Sequence, residues 1–285
     1  MYSYVIYRIG QFIALSLPLK AAYRLAVFIS DIRYLFARTD RRTIRENLKA
    51  IFSEKSEKDI YRIRLNVFRN FAKYLVDFFR FEKLDSEYIK KNIRIENIHY
   101  FDEALNKGKG VIVLTAHLGN WELGGVVLSQ LGYPFWAVAL PHKDKRVDAF
   151  FNSQRASKGM KVIPLGRAVR TCINLLKENK MVALVGDRDF TVKGITVDFF
   201  GKPSVLPEGP AAFALQTGAL IVPGFMLRND DNTFTLRIEK PIGFEITKDK
   251  KENIISIMNT YKKIFEDYIR RYPDQWYMFR RFWTE

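Results

Sequence analysis

The stretch VIVLTAHLGNWELGG, Val111 to Gly125, constrains this chain more than any other. A β-branched apolar run, Val111 to Thr115, leads into the polar turn His117-Leu118-Gly119-Asn120. An apolar segment, Trp121 to Leu131, follows and reads as a helix. Strand, glycine-containing turn and helix in that order is how an α/β protein presents reactive groups at the carboxyl end of a strand. The turn carries His117, and Glu122 comes five residues later at the helix start. A histidine with a nearby carboxylate is the minimum equipment for taking a proton from a hydroxyl. Gly119 suits a close backbone approach and Asn120 suits the cap of the next helix. Glu122, in the first helical turn, is placed to accept from one imidazole nitrogen and leave the other as a base. The plainer readings are a histidine that only hydrogen-bonds structurally and a carboxylate that only complements the helix dipole.

The surrounding rhythm extends that unit into a fold. From about Ile93, strands are predicted at Val111–Thr115, Phe135–Ala139, Lys161–Pro164, Met181–Val185, Ile195–Phe199, Ala219–Phe225 and Phe234–Ile238. Helices are predicted at Tyr100–Asn106, Trp121–Leu131, Lys145–Lys158, Ala168–Asn179, Gly209–Thr217 and Ile254–Arg271. The alternation implies an α/β fold with a mixed, largely parallel sheet flanked by helices. Residues 1–92 read as mainly helical, with amphipathic segments at Arg41 to Phe52 and Ser56 to Phe81, and Ser53 or Ser56 as a cap. The expected organisation is an N-terminal helical, membrane-associating region, 1–92, packed as one unit with an α/β domain, 93–285.

Charge narrows the partners. The 285 residues carry a net charge of +16, which implies an anionic partner: nucleic acid, an anionic membrane surface or a phosphorylated substrate. One cysteine, Cys172, excludes an intramolecular disulfide and a cysteine-based metal site; with three histidines, a histidine-rich metal centre is not expected either. Met1 to Ser30 holds no acidic residue, and its longest uncharged run, Ile9 to Leu19, is shorter than the roughly 20 apolar residues a bilayer span needs. It reads as a helix lying in a membrane interface or as one packed on the protein's own core. No signal-peptide cleavage site is evident.

Three further clusters are candidates for chemistry. Asp187-Arg188-Asp189 follows a predicted strand, and its acids face the crevice of His117 if the strands are parallel. Pro207-Glu208-Gly209-Pro210 precedes an apolar helix whose first amides suit a phosphate or an oxyanion, with Lys202 and Arg188 as nearby cations. Arg155, Arg167 and Arg170 are candidate phosphate contacts. The C-terminal Arg270 to Trp283 interleaves arginine with aromatics, as a surface that stacks on bases, a membrane-interface segment or a docked tail.

Together these residues resemble the late acyltransferases of lipid A biosynthesis, within the lysophospholipid and glycerolipid acyltransferase superfamily. The superfamily's His-x4-Asp/Glu motif stands here as HLGNWE, His117 to Glu122. Asp187 and Asp189, the segment PEGPAAFALQTGALIVP (Pro207 to Pro223), the ending QWYMFRRFW and the N-terminal RENLKAIF (Arg45 to Phe52) look like the further blocks, so the likeness spans nearly the whole chain. The resemblance implies acyl transfer from an acyl-carrier-protein or coenzyme A thioester to a hydroxyl of a lipid A precursor or related glycolipid. It implies no other cofactor and no metal, and a location at the cytoplasmic face of the bacterial inner membrane. His117 is expected as general base and Glu122 as the group that fixes its tautomer, with oxyanion donors near Gly119 or the Glu208–Gly209 turn. Gly119, Asn120, Arg155, Arg167, Arg170, Asp187, Arg188, Asp189, Lys202, Glu208 and Gly209 are expected to bind substrate. Related enzymes acting on phosphatidylinositol mannosides or lysophospholipids share the block pattern. Rivals of other kinds are a basic nucleic-acid-binding protein, which leaves HLGNWE without a role, and a metal-dependent hydrolase using His117, Asp187 and Asp189.

Overall fold

The computed structural model describes residues 2–190 and 194–283. The chain opens with five helices: α1 (Tyr2–Ser16), α2 (Leu19–Phe36), α3 (Arg38–Ile51), α4 (Glu57–Phe79) and α5 (Ser86–Asn92). Pro18 separates the first two, where its missing N–H is no loss at a helix start. Ser56 caps α4, its hydroxyl accepting from the Asp59 amide at 3.1 Å.

Then come β1 (Ile93–Glu96), α6 (His99–Leu105), β2 (Val111–Thr115), α7 (Trp121–Gln130), β3 (Phe135–Ala139), α8 (Lys145–Ala156), β4 (Lys161–Pro164), α9 (Ala168–Lys177) and β5 (Met181–Val185). The chain continues through β6 (Ile195–Phe199), β7 (Lys202–Leu206), α10 (Gly209–Thr217), β8 (Leu220–Arg228), β9 (Phe234–Ile238) and α11 (Lys250–Arg271). Seven strands form one sheet in the order β1-β9-β8-β2-β5-β3-β4. The pairs β8–β2, β2–β5, β5–β3, β3–β4 and β1–β9 are parallel, and β8–β9 is antiparallel. This is the expected mixed, largely parallel sheet between helical layers.

All five residues of β2 are buried, as a strand covered on both faces requires. Its side chains alternate between two apolar layers. Ile112 and Leu114 join the layer of α9, α10 and α11, while Val111 and Val113 join that of α6, α7 and α8. The N-terminal helices contribute to both: Leu48, Val67 and Phe68 to the first, and Ala22, Tyr23, Phe78 and Phe81 to the second.

Two elements depart from expectation. β1, with the alternating charged sequence IRIE, is too short and polar for its pattern to stand out. The predicted strand Ile195–Phe199 lies off the main sheet, in a two-stranded antiparallel hairpin with β7. Phe200 and Gly201 connect them at φ 57° and 74°, the two positive values that a tight two-residue turn demands. Lys202, expected near an anion, starts the return strand of that hairpin and is exposed.

Candidate active site

Strand register assembles the centre. β2 and β5 are parallel neighbours paired through Thr115 and Val185, the last residue of each. Residues at equal distance beyond the two ends therefore lie side by side, and His117 and Asp187 are each two beyond. Asp187 Oδ1 stands 2.7 Å from His117 Nδ1, and Oδ2 accepts the His117 amide at 3.1 Å and the Trp276 indole N–H at 3.0 Å. A carboxylate acceptor fixes the proton on Nδ1. Nε2 makes no hydrogen bond to the described residues, and His117 lines a groove. Asp187 is 0% exposed. Burial opposes its ionisation, but His117, Arg188 and the Trp276 indole outweigh that and hold its carboxyl below the ordinary aspartate range.

Glu122, expected to hold the imidazole, does not. Its two oxygens take Arg155 Nε at 2.8 Å and Nη2 at 2.5 Å, a bidentate pair. The third nitrogen of the guanidinium, Arg155 Nη1, donates to the Asn152 side-chain oxygen at 3.1 Å. Burial lowers the guanidinium's pKa and Glu122 more than restores it, so Arg155 keeps its proton. The reason for the difference is geometric: α7 carries Glu122 away from the Nδ1 edge of the ring, which β5 already occupies through Asp187. Arg155, expected as a phosphate contact, is thus engaged within the chain, although both members of the pair line the groove.

The turn itself is held by backbone. Gly119 has φ +64°, and a Cβ there would stand 2.1 Å from the Met226 carbonyl oxygen, so only glycine fits. Its amide donates to the Gln275 carbonyl at 2.9 Å, and the Asn120 amide to the Met226 carbonyl at 2.7 Å. Those amides are therefore not free for an oxyanion. Asn120, 1% exposed, caps α7 by accepting from the Leu123 amide at 3.1 Å, and its side-chain nitrogen donates to Asp77 at 2.9 Å. Neither residue lines the groove. Both were expected as ligands, and the close approach that Gly119 permits is by the chain's own backbone.

The C-terminal segment straps this turn. Tyr277 N–H donates to the His117 carbonyl at 2.9 Å, and Trp276 and Tyr277 are buried. Asn47, in the RENLKAIF helix, donates to the Met278 carbonyl at 3.1 Å and the Arg280 carbonyl at 2.8 Å. Two motifs from opposite ends of the sequence thus meet. With Trp276 and Tyr277 buried and Phe279, Phe282 and Trp283 half-buried, the segment is a docked tail.

His117 stands at a groove of about 540 Å³. Its walls are mainly apolar, from Val138 on β3 and Leu140 just after it, Leu165 and Val169 around the start of α9, Leu184 on β5 and Phe213 on α10. Arg188, Asp189, Glu208 and Gly209 also line it, so these expected residues are brought to the site. Arg188 spends Nη2 on the Tyr277 carbonyl at 2.9 Å, and burial lowers its pKa despite Asp187. Arg167 and Arg170 are exposed and, like Lys202, lie outside the lining. Cys172 is buried, which pushes its thiol up to about 12 and leaves it inert. Among the described residues no three His, Cys, Asp or Glu converge as a metal-ligand set.

A buried acid behind a histidine at the mouth of an apolar groove is an enzyme's site. The class is settled by comparison with known proteins: the model of the family described as "Bacterial lipid A biosynthesis acyltransferase" matches residues 1–285, and the chain is an O-acyltransferase. It belongs to the bacterial lipid A biosynthesis acyltransferase family. It is 28% identical over 264 residues to a phosphatidylinositol mannoside acyltransferase of Mycolicibacterium smegmatis, covering 90% of this chain and 84% of that one. It is 26% identical over 247 residues to the lipid A biosynthesis palmitoleoyltransferase of Escherichia coli, covering 84% and 78%. A solved structure, the 1-acyl-sn-glycerophosphate acyltransferase of Thermotoga maritima, aligns at 16% identity with a TM-score of 0.38, covering 83% of this chain and 97% of that one.

Proposed function

We propose that this chain moves a fatty acyl group from an acyl-carrier-protein or coenzyme A thioester to a hydroxyl of a lipid A precursor or related glycolipid, with His117 as general base. The observation that carries the reading is the His117–Asp187 pair at the apolar groove: Nδ1 is tied down and Nε2 is left for the substrate. Nε2 takes the acceptor's proton as its oxygen attacks the thioester carbonyl. Asp187 stabilises the imidazolium, which returns the proton to the departing thiolate. With the Gly119 amide occupied, the start of α10 at Glu208–Gly209 is the better source of oxyanion donors, since the first amides of a helix lack intrahelical partners. The groove takes the acyl chain. The net charge of +16 suits a strongly acidic carrier protein and anionic lipid.

A place at the cytoplasmic face of the bacterial inner membrane follows from the same reading. Among the described residues no helix is long and apolar enough to cross a membrane. Instead α1 exposes Val5, Ile6, Ile9 and Phe12, and α2 exposes Phe28, Ile29, Ile32, Leu35 and Phe36. Both sets recur at helical spacing, and Phe12 is 72% and Phe36 79% exposed. Such stripes suit a hairpin lying in one leaflet. A mannosylated phosphatidylinositol acceptor is the second reading, on the ground that a relative matched over 90% of this chain bears that name.

The test is mass spectrometry of total lipids from cells with and without the chain, and with His117→Ala. A lipid A or mannolipid species that gains one acyl chain only with the intact histidine supports the proposal and names the acceptor. No mass change, or an equal change with His117→Ala, rejects it.

A further inference from the structure

Behind the catalytic turn, away from the groove, lies a buried polar cluster drawn from four elements. Asp77 of α4 accepts from the Tyr23 hydroxyl of α2, from Arg228 Nη2 at the end of β8, and from Asn120 Nδ2 at 2.9 Å. Arg228 Nη1 also donates to the Tyr23 oxygen at 3.2 Å. The Arg228 amide and carbonyl are clasped by the Gln275 side chain, at 2.9 and 2.8 Å. None of Tyr23, Asp77 and Arg228 lines the groove.

Stability alone is a weak reason for this arrangement. A buried ion pair rarely beats apolar residues of the same volume, and here Arg228 Nε is buried with no hydrogen-bond partner among the described residues. What the cluster does supply is orientation. The Asn120 oxygen can cap α7 only when its nitrogen is turned toward an acceptor, and Asp77 is that acceptor. With the side chain fixed, the Asn120 amide stays on the Met226 carbonyl, and the turn that begins with His117 has one conformation.

We infer that Asp77 is a positioning residue for the transfer, holding the His117 turn through Asn120 and tying it through Tyr23 to α2. The inference rests on the reading of His117 as the base. Tyr23 shares its helix with the exposed stripe from Phe28 to Phe36, so the turn is braced by the element proposed to meet the membrane.

The test uses the full chain in detergent micelles, labelled with ¹⁵N-histidine. There are three histidines, so the His117 resonances are identified by their loss in His117→Gln. In the native chain His117 shows a single tautomer protonated at Nδ1. In Asp77→Asn that signature gives way to a mixture or to exchange broadening. With palmitoyl-CoA and a lipid A precursor, kcat falls roughly 10- to 100-fold, the scale of a small misplacement of a catalytic group, while KM stays within about twofold. Tyr23→Phe, which removes one hydroxyl, moves both readouts the same way by a smaller factor, and it decides the matter if Asp77→Asn does not fold. Variants that melt earlier yet keep the native His117 spectrum and kcat below their transition have lost only stability, and that outcome overturns the inference. The spectrum needs no substrate. If His117→Ala retained transfer, the reading of the base would fail on its own, separately from the coupling of Asp77 to the turn.

Discussion

Two carboxylates serve the same groove in different ways. Asp187 faces an imidazole whose other nitrogen makes no hydrogen bond among the described residues, so on the proposed mechanism its charge bears on the base. Glu122 faces a guanidinium that keeps its proton, in a bidentate clasp that is about as buried. On the proposed mechanism the first arrangement passes a proton and the second holds a shape. Glu122 is closer to His117 in sequence, yet the imidazole's partner is 70 residues away. Adjacent strands in register decide the pairing, and sequence spacing does not.

That contrast can be broken experimentally. His117→Ala should lower kcat by about 10²–10⁴-fold, the usual worth of a general base, and should also lower the melting temperature, because it leaves the buried Asp187 carboxylate without its imidazole partner. Initial rates on purified protein check this, and near-native turnover would remove the base from the mechanism. Asp187→Asn should also cut kcat, by roughly 10²-fold or more, because the amide no longer enforces the Nδ1–H tautomer.

Asp187→Asn carries a pH signature as well. The folded-state pKa of Asp187 is depressed, so its contribution to stability is present above the ordinary aspartate value and is lost as pH falls through the folded value. The melting-temperature gap between native chain and Asp187→Asn should therefore narrow as pH falls below about 4. A gap that widens in acid contradicts the assignment.

Glu122→Gln should behave in the opposite sense, leaving a buried guanidinium uncompensated at a cost of about 3–5 kcal/mol in denaturant unfolding. Turnover per folded molecule should suffer less than in Asp187→Asn. Replacing both partners, Glu122→Leu with Arg155→Met, should recover much of the loss. A larger drop in kcat for Glu122→Gln than for Asp187→Asn would reverse the two roles. The smallest effect belongs to the groove wall. Ala212→Phe should favour shorter acyl-CoA donors over longer ones by about 10-fold or more in kcat/KM, on the scale of 1–3 kcal/mol for a hydrophobic pocket. Unchanged chain preference would place the acyl chain elsewhere.

Much of this was legible from residues alone. The run Val111 to Thr115 and the apolar segment after it announce strand and helix, and Asn120 announces a cap. Asp187 at a strand end was readable as a neighbour of His117 given parallel strands. That it takes Nδ1 depends on β2 and β5 being adjacent and in register, which no local pattern states. Asp77 left a trace that periodicity passes over: a carboxylate inside the apolar run Tyr74 to Phe79. Arg228 likewise ends an apolar strand. A charge set in a core pattern signals a partner without saying where that partner lies. Glu208 and Gly209 reach the groove because a helix starts there, whereas Lys202 does not because a tight turn sends it back along a hairpin.

The strap from Gln275 to Tyr277 has a consequence for biosynthesis. A ribosome delivers α1, α2 and the His117 turn before the residues that clasp that turn and the indole that bonds Asp187. If the stripes of α1 and α2 meet lipid as proposed, they are exposed for that contact while the His117–Asp187 centre is still incomplete, and the nascent chain would reach a membrane before it is able to act.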